Sequence, residues 1–225
     1  MKKAIILLLP IILISHLFGI AGFGFQIGEN TFSVAQNSPI PQLTNGAFNN
    51  SYHFGGYFYL DFLPIIDIDV DYSAQGNTYD IQFTNNTGTM SPLSFGWASS
   101  DLYITLRKEL AGFKIPFIAK AKLFAGGGYN SHATTPLANE EMMTNLLGGD
   151  IQSSFDQSNL SNSLNSYLSD TDNYITSSGF HIQGGLQFKL LFADTFLFYR
   201  QVFVNDVIPN SDSYSSFNMR FGIGI

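Results

Sequence analysis

The chain ends on Ser215-Ser216-Phe217-Asn218-Met219-Arg220-Phe221-Gly222-Ile223-Gly224-Ile225, in which apolar and polar or tiny side chains alternate strictly. Phe217, Met219, Phe221, Ile223 and Ile225 share one face; Ser216, Asn218, Arg220, Gly222 and Gly224 share the other. A period of two over this length is a β-strand with a different solvent on each side. About 9–11 residues, tilted, also suffice for a strand to cross a hydrocarbon core.

The opposite end of the chain has another character. Lys2 and Lys3 precede an apolar run from Ala4 to Ile14, and Gly19-Ile20-Ala21 places small residues where a signal peptidase reads them. Residues 1–21 are therefore expected to be an export leader, leaving 22–225 as one domain. Cysteine is absent, which excludes disulfide frameworks, thiolate metal sites and thiol catalysis. The formal charge of −7 becomes more negative by two without Lys2 and Lys3, which argues against nucleic-acid binding. Aromatic residues make up 15% of the chain and charged residues only 12%, against about 25% charged in a soluble domain. Much of the surface is thus expected not to face water.

Seven further segments alternate in the same way: Phe23–Gly28, Tyr52–Phe62, Ile66–Ser73, Asp101–Lys108, Phe117–Tyr129, Phe180–Leu190 and Thr195–Val204. The last is ambiguous, because both of its faces carry apolar residues. Connections after the second, fourth and sixth segments are short; the others are longer, and one covers about 131–178. Short turns at one end and long loops at the other are the habit of transmembrane barrels. The fold class expected is all-β: an antiparallel up-and-down transmembrane β-barrel of eight strands, with short periplasmic turns and long extracellular loops. Ten strands stay open, since the segments 30–50 and 77–84 could add a hairpin or extend strands.

A soluble barrel has the same period with its apolar face turned inward. Its outward face should then be densely charged, whereas here the polar faces are Gly, Ser, Gln and Tyr with scattered charges. The Gly-x-Trp signature of lipocalins is missing near the first strand, and the only tryptophan, Trp97, falls in an expected loop. The alternation and connection lengths resemble the small eight-stranded outer-membrane barrel proteins of Gram-negative bacteria, over essentially the whole mature chain. The resemblance implies the cell outer membrane, contact with its lipids and with its assembly machinery, and a monomer. Members of that family commonly end in an aromatic residue, where this chain ends in Ile225.

Asp67-Ile68-Asp69-Val70-Asp71 is the sharpest local feature, three carboxylates on one face of a strand about 6.8 Å apart. One reading is a cation site, although the glycine and glutamate of a calcium loop are absent. The other is a lumen network, because buried charges must be paired. That network is expected to join Asp61, Asp67, Asp69 and Asp71 to Arg107, Lys120, Lys122, Lys189 and Arg220, with Tyr57, Tyr59 and Tyr103 beside them. Phe62, Tyr72, Tyr129 and Phe180 stand near strand ends, where aromatic girdles form.

No metal-ligand spacing links His53, His132 and His181, and nothing in the chain calls for a cofactor. His53 and His181 fall on polar faces near the long-loop end, the position a lipid-acting enzyme would use, but no nucleophile is singled out. Gly126-Gly127-Gly128 lacks the Lys-Ser/Thr of a phosphate loop and reads as a place of close backbone approach. Within the long loop, Met142, Met143, Leu146 and Leu147 have helical spacing, as do Leu160, Leu164 and Leu168. Asn139-Glu140-Glu141 would start the first helix and Gly148-Gly149 would end it. Eight strands enclose only enough room for side chains. The function expected is that of a barrel that is structural or binds through its loops, the alternatives being a small pore or hydrophobic-molecule carrier and a lipid-modifying enzyme.

Overall fold

The computed structural model describes residues 21–224, apart from 62–64, 87, 90, 116–117, 148–162 and 165. The expected leader lies outside the described residues except for Ala21, which begins the first strand. Eight strands form the wall: β1 (Ala21–Val34), β4 (Phe48–Leu60), β5 (Asp67–Asn85), β7 (Leu93–Ile115), β8 (Ala119–Thr134), β9 (Ile175–Leu190), β10 (Ala193–Phe203) and β11 (Ser213–Gly224). Each pairs antiparallel with its neighbours in that order, and β1 pairs with β11 from Gly22↔Gly224 to Thr31↔Ser215, so the sheet closes on itself. Closure leaves the ring without an edge, and eight is its strand number. Three short strands lie at the long-loop end: β2 (Asn37–Ile40), β3 (Leu43–Asn45) and β6 (Gly88–Thr89). Both β3 and β6 pair with β5.

Several strands are longer than the alternation suggests. β5 runs through 77–84, so that segment extends a strand and adds no hairpin of its own, and β7 begins at Leu93, so Trp97 stands in a strand and not in a loop. The long connection narrows to 135–174, because β8 continues to Thr134 and β9 begins at Ile175. At 19 and 23 residues, β5 and β7 are about twice what a membrane crossing needs.

The reason is a reversal of hydropathy within single strands. Near the turn end of β5, Asp69, Asp71 and Ser73 point inward while Ile68, Val70 and Tyr72 point outward. Near its loop end the inward residues are Tyr79, Ile81 and Phe83, and the outward ones are Thr78, Asp80, Gln82 and Thr84. The register with β7 does not slip between Asp67↔Arg107 and Ile81↔Leu93, so the geometry continues and only the chemistry changes sides. β7 does the same, with Leu102, Ile104 and Leu106 outward near the turn end and Phe95 and Trp97 inward near the loop end. The turn half therefore has an apolar exterior and polar interior, as a barrel in lipid must. The loop half is built the other way round, as a barrel in water must be.

The exterior of the turn half is continuous: Phe25 is 57% exposed, Phe54 70%, Phe180 58% and Leu190 61%, with Phe23, Ile182, Leu186, Phe188, Phe217 and Ile223 among them. A soluble monomer rarely shows an apolar patch of more than a few hundred Å². Tyr52, Tyr72, Tyr129 and Tyr199 are exposed at the boundary between the halves, where aromatic girdles belong. Phe62 lies outside the described residues.

In the loop half, Phe32, Val34, Leu43, Phe48, Tyr79, Ile81, Phe83, Phe95 and Trp97 form a buried apolar cluster. A helix, α1 (Glu140–Leu147), covers it with Met142 and Met143, both fully buried. Asn139 starts that helix as expected: its side-chain oxygen accepts from the Met142 N–H at 2.9 Å. Leu164 reaches the same cluster, whereas Leu160 and Gly148-Gly149 lie outside the described residues.

Candidate functional site: the filled lumen

The turn-half interior is built by the inward residues of all eight wall strands. Glycines decide how much room there is. Gly22 and Gly24 on β1 and Gly222 and Gly224 on β11 are all inward and pair across the seam. A Cβ on Gly222 would meet the backbone carbon of Phe23 at 2.8 Å, and one on Gly22 would collide with the Tyr59 ring. The bare seam thus makes space for Tyr57 and Tyr59, whose parallel rings lie 6.3 Å apart. Phe124, Phe196 and Phe198 complete this aromatic layer.

Around it lie the charges. Arg220 on the last strand donates from Nη1 to Asp69 Oδ2 (3.0 Å), from Nη2 to Asp71 Oδ1, and from Nε to Gln26 Oε1 (3.1 Å). Arg200 donates to the other Asp71 oxygen and to Gln183 Oε1 (2.9 Å). Arg107 lies 3.1 Å from Asp61, 3.3 Å from Asp67 and 3.4 Å from Asp69. Lys122 lies 3.3 Å from Asp61, 3.5 Å from Asp67 and 3.5 Å from Glu109. Five carboxylates thus meet four cations, and the three guanidiniums also rest on the aromatic layer. Arg107 lies over Phe196 (4.9 Å), Arg200 over Phe198 (5.2 Å) and Arg220 over the same ring (4.6 Å).

The structure brings together Asp61, Asp67, Asp69, Asp71, Arg107, Lys122 and Arg220 from the residues singled out in the sequence. It does not bring in Lys120 or Lys189 as ion-pair partners of the Asp67–Asp71 row. These two pair with each other in register toward the turn end, and Lys114 pairs with Lys120 beside them. Arg200 was missed, because the apolar residues on both faces of Thr195–Val204 hid its inward parity. Asp194 was missed too; it accepts from Tyr59 OH and from Gln187 Nε2 at 2.8 Å. The Asp67–Asp71 row faces guanidinium and ammonium groups, the arrangement expected of a lumen network.

Above the charges lies a further polar layer holding all three described histidines. His53 Nε2 faces Asn218 Oδ1 (3.0 Å) and His181 Nε2 faces Thr105 Oγ1 (2.8 Å). Both rings are buried in the lumen rather than placed at the rim. His132 Nδ1 faces Asp101 Oδ1 at 2.7 Å, which resembles half of a hydrolytic triad. Its Nε2 faces Asn130, however, and the nearby Ser99 hydroxyl donates to Asp101 instead of the imidazole. In the loop half, burial pushes the Tyr79 phenol above its ordinary range; its oxygen accepts from the Ala138 N–H at 2.9 Å.

An apolar band outside, a paired-charge interior and short turns opposite long loops together define a transmembrane β-barrel of the outer-membrane kind. Comparison with protein-family models found no match, and none was found with the curated proteins. Among solved structures the chain is similar to Neisserial surface protein A, at 13% identity and a TM-score of 0.46 over 92% of this chain and 97% of that one. It is also similar to the N-terminal β-barrel domain of OprF from Pseudomonas aeruginosa, at 8% identity and a TM-score of 0.42 over 91% and 98%. A third is Ail of Yersinia pestis, the attachment invasion locus protein, crystallised with the heparin analogue sucrose octasulfate (10% identity, TM-score 0.41, 92% and 99%). At such identities no residue role passes from one chain to another.

Proposed function

We propose that this protein is a non-conducting monomeric barrel of the outer membrane, held by its lipids and inserted by the assembly machinery, that acts through its loop end. The observation that carries the reading is the filled lumen. Among the described residues, Asp61, Asp67, Asp69 and Asp71, their four cations and five aromatic rings share the cross-section, which supports a lumen closed to solute. Action is left to the loop half, against which α1 is held by its buried Met142 and Met143. That end carries no Lys or Arg in any of its four connections, so sulfated or phosphorylated polyanions meet no counter-charge there. Refolded protein in planar bilayers should show no discrete conductance steps. Reproducible steps from the wild type would overturn the reading and restore the small pore.

A further inference from the structure

The loop-half cluster does more than close the barrel. Its rings form a connected box: Phe48 stacks on Tyr79 (5.6 Å), Trp97 lies 5.5 Å from Phe32 and 5.6 Å from Phe48, and Tyr79 lies 5.4 Å from Phe95. Two polar atoms are buried with it and have no hydrogen-bond partner among the described residues, the Trp97 indole N–H and the Asn45 Oδ1. Trp97 is 1% exposed and Asn45 2%. Asn45 spends its two amide protons on Asn37 Oδ1 (3.0 Å) and the Ala138 carbonyl (2.9 Å), so its oxygen alone is left over. A buried donor and a buried acceptor without partners cost free energy, and natural interiors hold few of them. What covers the box is also unusual: two adjacent methionines, unbranched and able to repack, on an eight-residue helix.

We propose that this compartment binds a small aromatic alcohol, whose ring enters the aromatic box as the Met142 and Met143 side chains withdraw. The hydroxyl donates to Asn45 Oδ1 or accepts from the Trp97 N–H. The inference rests on the loop end being the acting side of the barrel, and it names the ligand class for that side. A polyol or sugar would leave most of its polar groups unpaired against Phe32, Phe48, Ile81 and Phe95. A long alkyl chain would use neither orphaned atom.

Trp97 is the sole tryptophan, so its emission reports on this compartment alone. Full-length protein in lipid nanodiscs is titrated with 4-bromophenol, a heavy-atom quencher with one hydroxyl, with bromobenzene run at matched free concentration. Saturable quenching by 4-bromophenol is expected, with bromobenzene at least tenfold weaker, because a site built around a hydrogen bond rejects the analogue that lacks it. Asn45→Leu should weaken 4-bromophenol at least tenfold while keeping heat-modifiable gel mobility. Quenching linear in concentration, or equal affinities for the two compounds, would overturn the proposal; both are read on the wild type, so a variant that fails to fold does not rescue it. Conductance tests the closed lumen separately, so failure of the binding site and failure of the non-conducting reading are told apart.

Discussion

Asp71 sits between two guanidiniums that come from the far side of the ring, and both of its oxygens are engaged. Removing its charge strands Arg200 and Arg220 together. Asp71→Asn should lower stability in a urea titration of the refolded barrel by about 3–5 kcal/mol, the scale for a broken buried pair. Adding Arg200→Gln should recover part of the loss; strict additivity would show that the pair is not energetically coupled. Asp69 makes a sharper test of the geometry. It should couple to Arg107 and to Arg220 in double-mutant cycles, but not to Lys122, whose contacts are with Asp61, Asp67 and Glu109. Coupling of Asp69 to Lys122 larger than to Arg220 would refute the arrangement. The small residues matter as much as the charged ones. Gly222→Val should destabilise by about 1–3 kcal/mol through overpacking, since its side chain would displace Tyr57 or the backbone of Phe23. Unchanged stability of that variant would mean that the seam has slack.

At the scale of the strand, the reversal of hydropathy accounts for what the sequence shows and for what it conceals. Where one solvent lies outside over the whole segment, as in Phe180–Leu190 or Phe217–Ile223, period-two alternation reads directly as strand and as face. In β5 the apolar residues move from even positions (Ile68, Val70, Tyr72) to odd ones (Tyr79, Ile81, Phe83), so the pattern breaks near residue 75 although the backbone does not. That is why residues 77–84 could be read either as an extension of a strand or as an added hairpin, and Trp97 as a loop residue. Arg200 was hidden by a related effect: inward Phe196 and Phe198 serve the aromatic layer, so apolar no longer means outward. A substitution pair tests the boundary. Leu186→Arg, in the middle of the lipid-facing run of β9, should impair assembly, an arginine at the midplane costing about 2–4 kcal/mol. Gln82→Arg, outward on the loop half of β5, should be tolerated. Equal yields of folded protein for the two would show that both positions meet the same solvent.

For the molecule as a whole, the long connection belongs to the loop-half compartment and not to the membrane ring. Deleting 139–169 should leave the ring able to fold, with heat-modifiable mobility retained, because none of its ladder hydrogen bonds passes through that segment. Trp97 should then lose its cover and its emission should shift to the red. Emission that stays blue would mean that the tryptophan is shielded by the strands alone. The placement of the ion pairs has a further consequence, in time rather than in space. Asp69 and Asp71 are contributed by the third strand of the ring, whereas Arg200 and Arg220 come from the seventh and eighth. A chain emerging from its N-terminus therefore carries Asp71 without either guanidinium until its final quarter is available. Arg220 is added by the same strand that seals the seam with β1. The Asp69–Arg220 and Asp71–Arg220 pairs therefore form in the same event that closes the ring, whereas Asp69–Arg107 and Asp71–Arg200 need only strands that precede it in the chain.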